Sequence, residues 1–148
     1  MEAVSFIPPR TGEVIRYSYL WYSEQVAGHE EGLKDRPCAV VMSLASVAGA
    51  ARVIVMPITH SSPKRGANVI ALPPAIKRRL GLDDVPSWIV LDEANRFTWP
   101  GPDIRPFDGP QGRTTSFGFL PPGLFKIVRD KFLALAAAGA VAHVDRTD

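Results

Sequence analysis

The chain has 148 residues, of which 46% are hydrophobic and 22% charged, and its formal net charge is +2. This length and composition predict one globular domain over residues 1–148 and exclude disorder as the main state. A single cysteine, Cys38, excludes an intrachain disulfide scaffold, and the near-neutral charge excludes a purely electrostatic mode of nucleic-acid binding.

The N-terminal segment 1–10 contains Glu2 and two prolines and lacks the basic and apolar regions of a signal peptide. No stretch reaches the roughly 18 apolar residues that a membrane span needs. We therefore expect a cytoplasmic protein without a membrane partner. Histidines and cysteines at metal-ligand spacing are missing from the sequence, so no metal and no cofactor is expected.

The first half of the chain predicts three strands and a loop. Residues 12–22 are rich in β-branched and aromatic residues, which favours a strand. Residues 23–35 hold two glycines and four acidic residues, and we expect a long loop there. The apolar segments 36–47 and 51–60 flank a turn at Gly49, so they predict an antiparallel hairpin.

Shorter elements follow the hairpin. Residues 61–66 form a turn signal, and residues 68–72 and 87–91 predict short strands. Between these strands, Pro73-Pro74 opens a short helix that Gly81 closes, as proline before and glycine after a helix usually do.

The last third predicts one long helix. Residues 95–111 hold four prolines and two glycines, so we expect an ordered loop, and residues 117–120 predict a strand. Apolar residues then recur at helical spacing over residues 121–137. These are Leu124, Ile127, Val128, Phe132 and Leu135.

Together these elements favour a mainly β, α+β protein that folds as a small antiparallel barrel with helical caps. The segment after Gly139 is too short to assign to an element.

The ends of the predicted hairpin carry the polar residues that are candidates for a functional site. Antiparallel pairing about Gly49 sets Arg36 opposite the region of Ser61, with Thr59 within about two residues of it. A guanidinium beside a hydroxyl can hold a phosphate, because arginine donates to two phosphate oxygens at once. We therefore predict an anion site at this rim.

The stretch GEVIRYSYLWYSEQVAGHEEGLKDRPCAVVM, followed by VIVMPITHS, resembles the MazF/PemK family of bacterial toxins. The shared pattern is Gly-Glu-Val opening a strand, a loop, Lys-x-Arg-Pro entering an apolar strand, and a strand that ends in threonine. It covers residues 10–62 well and the remainder more loosely. The resemblance implies an SH3-like antiparallel barrel of the MazF/PemK/CcdB type, a homodimer and a cognate antitoxin protein as partner. It also implies metal-independent endoribonuclease activity on single-stranded RNA.

The resemblance also implies roles for individual residues. Arg36 matches the arginine that stabilises the transition state, and Thr59 matches the residue that binds the scissile phosphate. Asp92 or Glu93 falls where some members carry an acidic group for acid–base work. His60 follows Thr59 and is a candidate general base, since imidazole ordinarily titrates near pH 6.5.

The residues predicted to contact RNA are basic or hydroxyl-bearing and lie near the same rim: Lys34, Ser61, Lys64 and Arg65. The run Lys77-Arg78-Arg79 could also follow an RNA backbone, although such runs are commonly solvated helix faces.

Other interpretations stay open. Arg36 and Thr59 could serve only the strand ends, and His60 could be an ordinary surface histidine. The aromatic residues of segment 17–22 could stack RNA bases, but core packing is favoured for them. A CcdB-like toxin that acts on a protein such as DNA gyrase is the alternative function, and an inactive binding barrel is a third.

Overall fold

A computed structural model of the chain describes residues 7–30, 32, 34–45 and 50–146. Within these ranges the protein is mainly β and has three helices, α1 (Tyr22–Val26), α2 (Pro74–Arg79) and α3 (Pro122–Ala137). The strands are β1 (Glu13–Tyr17), β2 (Arg36–Ala45), β3 (Ala51–Thr59), β4 (Val69–Ala71), β5 (Trp88–Val90), β6 (Glu93–Trp99), β7 (Phe107–Gly109), β8 (Gly112–Thr114), β9 (Ser116–Phe119) and β10 (Ala142–Asp145).

An eight-stranded sheet organises the molecule. Its ladder runs in the order β10-β6-β3-β2-β1-β9, and β5 joins it beside β3 and carries β4. Strand β10 runs parallel to β6, whereas the other pairs are antiparallel. Strands β7 and β8 form a separate two-stranded hairpin. The predicted α+β class with a mainly antiparallel sheet is therefore confirmed.

The hairpin of β2 and β3 is present as predicted, but its register differs. Cys38 pairs with Pro57, and continuing that register by two residues brings Arg36 level with Thr59 rather than with Ser61. The difference arises because the pairing is centred about a residue earlier than the predicted turn and a bulge follows Val40. The predicted turn residue Gly49 lies outside the described residues.

The sheet buries apolar side chains on both faces, because successive residues of a strand point to opposite sides. One face packs against α3 and includes Val14, Ala39 and Met56. The other face carries what we call the aromatic cluster, in which the Tyr17 and Phe97 rings stack 4.6 Å apart. Core packing of these aromatic residues, which was favoured over base stacking, is thus what the structure shows for Tyr17.

Helix α3 packs on the sheet through the predicted apolar face. Val128 and Phe132 are buried, while Leu124 and Leu135 pack against the same core and are partly buried. The assignment of Ile127 to this face is wrong, because its side chain is mostly exposed. Helix α3 has 16 residues, and no helix in the described ranges is both long and apolar enough to cross a membrane.

Five elements lie where the sequence predicted loops or nothing, namely α1, β6, β7, β8 and β10. Helix α1 occupies part of the predicted loop 23–35, and its first turn is closed by the Glu24 carboxylate, which accepts from the Trp21 N–H at 3.0 Å. Strand β6 replaces the start of the predicted loop 95–111. The unassigned tail contains β10, whose partner is β6. Residues 147 and 148 lie outside the described part of the chain.

Candidate functional site

A groove of about 1120 Å³ opens at the end of the sheet where β2 begins and β3 ends. Seven of the eight predicted site residues line it: Lys34, Arg36, Thr59, His60, Ser61, Lys64 and Asp92. The eighth, Arg65, is exposed on the turn beside it and is not part of its wall. The structure therefore brings together residues that are up to 58 positions apart, from Lys34 to Asp92.

Arg36 enters the groove from the first position of β2. Its guanidinium carbon lies 5.0 Å from the centre of the Trp21 ring, so the aromatic face orients the guanidinium plane. Its Nε atom is buried and has no hydrogen-bond partner among the described residues. An unsatisfied buried donor costs about 1–3 kcal/mol, so an anion that accepted from Nε would recover this free energy.

Thr59 lies on the same face of the sheet as Arg36. Side chains two residues apart on a strand point to the same face. Arg36 therefore points to the same face as Cys38, and Thr59 points to the same face as Pro57, the residue that pairs with Cys38. Thr59 is 8% exposed, and its hydroxyl oxygen accepts from the Ser61 N–H at 3.1 Å. The hydroxyl proton therefore remains available to donate to a ligand in the groove.

His60 contacts a carboxylate that the sequence did not single out. Its Nε2 lies 2.9 Å from the Asp83 Oδ2. The other oxygen of Asp83, Oδ1, lies 2.7 Å from the Nζ of Lys77, a buried residue of α2. Donation by Lys77 holds the pKa of the Asp83 carboxyl below its usual range, so this group is a carboxylate at neutral pH.

Asp92 and Glu93 also line the groove. The Oε1 of Glu93 accepts from the Tyr19 hydroxyl at 3.0 Å and from the Tyr22 N–H at 3.0 Å. Burial raises the pKa of the Glu93 carboxyl, which favours its protonated form relative to an exposed glutamate. Glu93 therefore fits a proton-donating role at least as well as the predicted Asp92.

Two of the four carboxylates that line the groove are compensated by ion pairs. Asp35 lies 3.6 Å from Arg16 and 3.4 Å from Arg105, so two cations outside the groove compensate it. Asp83 is compensated by Lys77 in the same way. The remaining basic lining residues, Lys34, Arg36 and Lys64, can then meet an anion.

Gly32, which lies two residues before Lys34, packs closely against the backbone that follows β1. A side chain at Gly32 would collide with the backbone carbonyl of Tyr19, so only glycine permits this close approach. This packing fixes Gly32, and the ion pairs of Asp35 fix that residue in the groove lining.

Among the described residues, no group of three or more histidines, cysteines or acidic residues is placed to hold a metal ion. Comparison of the chain with protein-family models, with curated proteins and with solved structures finds no match.

Sequence reasoning missed three residues of the site. Trp21 was grouped with core aromatics, and Asp83 carries no local signal that links it to His60. Lys77 was assigned to a solvated basic run, which is wrong because it is buried. The signal available for Lys77 was its position on the helix between Ile76 and Leu80, which pack into the core.

Proposed function

We propose that this chain is a metal-independent endoribonuclease that cleaves single-stranded RNA, as the toxin component of a toxin–antitoxin pair of the MazF/PemK type. The observation that carries the proposal is the buried, unpartnered Nε of Arg36 on the same groove face as Thr59. These are the two positions that the family resemblance assigns to the scissile phosphate. The same resemblance implies that the observed sheet is part of an SH3-like barrel.

In the proposed reaction, the ribose 2′-oxygen attacks the adjacent phosphorus and the bond from phosphorus to the 5′-oxygen breaks. The 2′-OH proton passes to His60, and Glu93 or Asp92 gives a proton to the leaving 5′-oxygen. The products are a 2′,3′-cyclic phosphate and a 5′-OH, and no water is consumed.

Arg36 and Thr59 act on the phosphate itself. Attack of the 2′-oxygen increases negative charge on the non-bridging oxygens, and a fixed guanidinium stabilises that charge more in the transition state than in the ground state. The Thr59 hydroxyl donates to the same group. Lys34 and Lys64 attract the flanking phosphates, with Ser61 as a further donor.

Two partners complete the proposal. A homodimer would place two copies of the groove in one particle related by two-fold symmetry. An antitoxin segment that orders on binding would cover the grooves and block RNA. Sedimentation of the purified chain at micromolar concentration tests the first, since a species of only 16.1 kDa would contradict it.

The test of activity is incubation of single-stranded RNA with pure protein in EDTA, followed by gel electrophoresis. We expect cleavage, and polynucleotide kinase should label the new 5′-OH ends directly. Arg36→Ala should reduce the cleavage rate by about 10²–10³. Arg36→Lys should not restore it, because lysine keeps the charge but lacks the planar fork of donors.

Arg78→Ala is the matched control, because Arg78 is exposed on α2 outside the groove lining. It should cleave as the parent does. Undiminished cleavage by Arg36→Ala would contradict the assignment. A parent protein that cleaves no RNA but inhibits DNA gyrase would favour the CcdB-like alternative.

A further inference from the structure

Three groups from separate segments meet in a chain of short contacts that ends at His60. Lys77 is on α2, Asp83 follows that helix, and His60 follows β3. Resting on the proposed function, we infer that Asp83 is a positioning residue that orients the His60 imidazole for proton transfer, and that Lys77 fixes Asp83.

The Lys77 ammonium is anchored from three directions. Its Nζ donates to the Asp83 Oδ1 at 2.7 Å, to the Ser87 hydroxyl at 2.7 Å and to the Val85 carbonyl. An ammonium has three protons, so each is used. Its side chain is only 5% exposed, and burial without these acceptors would be costly. Lys77 is therefore a fixed charge and cannot reach RNA.

This anchor constrains one carboxylate oxygen of Asp83 and leaves the other for His60. The Oδ1 accepts from both Lys77 and the Val85 N–H, the latter at 3.1 Å. The Oδ2 lies 2.9 Å from the His60 Nε2. Because a carboxylate accepts and cannot donate, the neutral imidazole must carry its proton on Nε2.

The tautomer decides which nitrogen can act as base. With the proton on Nε2, the lone pair of the neutral ring is on Nδ1. In the proposed reaction Nδ1 accepts the 2′-OH proton as the bond from the 2′-oxygen to phosphorus forms and the bond to the 5′-oxygen breaks. The imidazolium that results is stabilised by Asp83, and Glu93 or Asp92 supplies the proton to the 5′-oxygen.

A contact that only tethered the loop after α2 would select the same tautomer. The spectra therefore test whether Asp83 orients the ring, and the cleavage rates given below test whether that orientation serves the reaction. Long-range ¹H–¹⁵N correlation spectra of the neutral imidazole separate protonated from unprotonated ring nitrogens, and His60→Gln identifies the His60 signals among the three histidines.

We expect the parent protein to show His60 with Nε2 protonated and Nδ1 unprotonated. Asp83→Asn should abolish this single tautomer. Asp84→Asn, which changes an exposed neighbouring acid, should leave it intact. A parent protein with the proton on Nδ1, or a tautomer unchanged by Asp83→Asn, overturns the positioning role. The parent spectrum decides this even where the variant fails to fold.

The kinetic arm uses single-turnover cleavage of single-stranded RNA. His60→Ala should lower the rate by about 10²–10⁴. Asp83→Asn should lower it by between about 10-fold and 10⁴-fold, the range found for groups that orient histidines. His29→Ala, at an exposed histidine outside the groove lining, should match the parent.

The two proposals fail in different ways. A parent that cleaves no RNA contradicts the proposed function, while the spectra still decide whether Asp83 orients His60. Cleavage by the parent that His60→Ala leaves unchanged contradicts this inference and the assignment of His60 as the base, while the proposed endoribonuclease activity stands.

Discussion

Two buried cations in this fold are paired in contrasting ways. Arg146 follows β10, and its Nη1 donates to the Ser18 carbonyl at 2.6 Å and to the Asn95 side-chain oxygen at 3.0 Å. Its Nη2 lies 3.0 Å from Asp103, a carboxylate whose side chain is only 11% exposed. Every group of this cluster is enclosed, so its charge acts within the fold.

Lys77 is as buried as Arg146, but its carboxylate partner opens to the groove. The side chain of Asp83 is 51% exposed and touches the still more accessible ring of His60. We call the Arg146–Asp103 pair closed, because both partners are buried, and it can only stabilise the fold. We call the Lys77–Asp83 pair open, because the buried ammonium fixes a carboxylate that in turn fixes a solvent-accessible group. The comparison therefore separates a structural ion pair from one that can serve a reaction.

The largest expected effect is the loss of the closed pair. Arg146→Met leaves Asp103 buried without its cation, and removing one partner of a buried pair costs about 3–5 kcal/mol. Urea denaturation should show this decrease in the free energy of unfolding. Arg129→Met, at a partly exposed ion pair on α3, is the control and should change it far less.

Neither residue of the closed pair lines the groove, so the variant that remains folded should cleave RNA at the parent rate. A stability within error of the parent would show that the Arg146 cluster is not the structural anchor that its burial indicates.

The second effect concerns the open pair. Lys77→Met keeps the length of the side chain but removes its hydrogen bonds, and hydrogen bonds to charged groups contribute about 1.5–3 kcal/mol. The loss should be smaller than at Arg146, because the abandoned Asp83 carboxylate can be hydrated. Thermal or urea denaturation measures it, with Arg78→Met on the exposed side of α2 as control.

A Lys77→Met loss as large as that of Arg146→Met would remove the distinction between the two pairs. Groove exposure of the carboxylate would then have no energetic consequence.

The sequence predicted the elements whose patterns are local. The hairpin of β2 and β3 followed from two apolar runs, and α3 followed from its helical spacing. Strand β6 was missed because Asn95 and the prolines after it are typical of loops. In the structure Asn95 is buried, and its side chain exchanges hydrogen bonds with the backbone of Leu20 at 2.9 and 2.8 Å. Leu20 is 75 residues away from Asn95 in the chain, so the sequence around Asn95 does not indicate this contact.

The residues of the site likewise divide into those that the local sequence pattern predicts and those that it does not. Arg36 and Thr59 were predicted to be neighbours because antiparallel pairing relates residues across a hairpin by simple counting. Asp83 and Lys77 could not be found this way, since His60 meets them through packing between α2 and the end of β3. Contacts set by tertiary packing need coordinates.

The third prediction concerns Glu93, a carboxyl whose donors, the Tyr19 hydroxyl and the Tyr22 N–H, are neutral. Burial raises its pKa, so the folded state favours the protonated form, and ionisation destabilises the fold as pH rises. Glu93→Gln should match the parent below its ordinary pKa of 4.5 and become progressively more stable than the parent above it.

Denaturation of parent and variant across a pH series measures this difference. Exposed Glu30→Gln is the control and should show no such trend. A difference between Glu93→Gln and the parent that stays constant with pH would show that burial does not raise the pKa of Glu93.

The smallest expected effect is at a third pair, where both partners reach solvent. Arg96 donates to the two oxygens of Asp145 at 2.8 and 2.9 Å and so links β6 to the parallel strand β10. The Asp145 side chain is 63% exposed, and exposed pairs contribute only about 0.2–1 kcal/mol. Asp145→Asn should therefore lower the free energy of unfolding by less than either buried pair.

Donation by Arg96 lowers the pKa of Asp145 below its ordinary value of 3.8. The pair's contribution is thus complete above that pH and disappears as pH falls through the lowered pKa. The difference between Asp145→Asn and the parent should shrink in acid and in high salt, which screens exposed charges. If Asp145→Asn instead lowered the free energy of unfolding as much as Arg146→Met, the contributions of the three pairs would not follow the exposure of their carboxylates. The distinction between the Lys77 pair and the Arg146 pair would then have no energetic support.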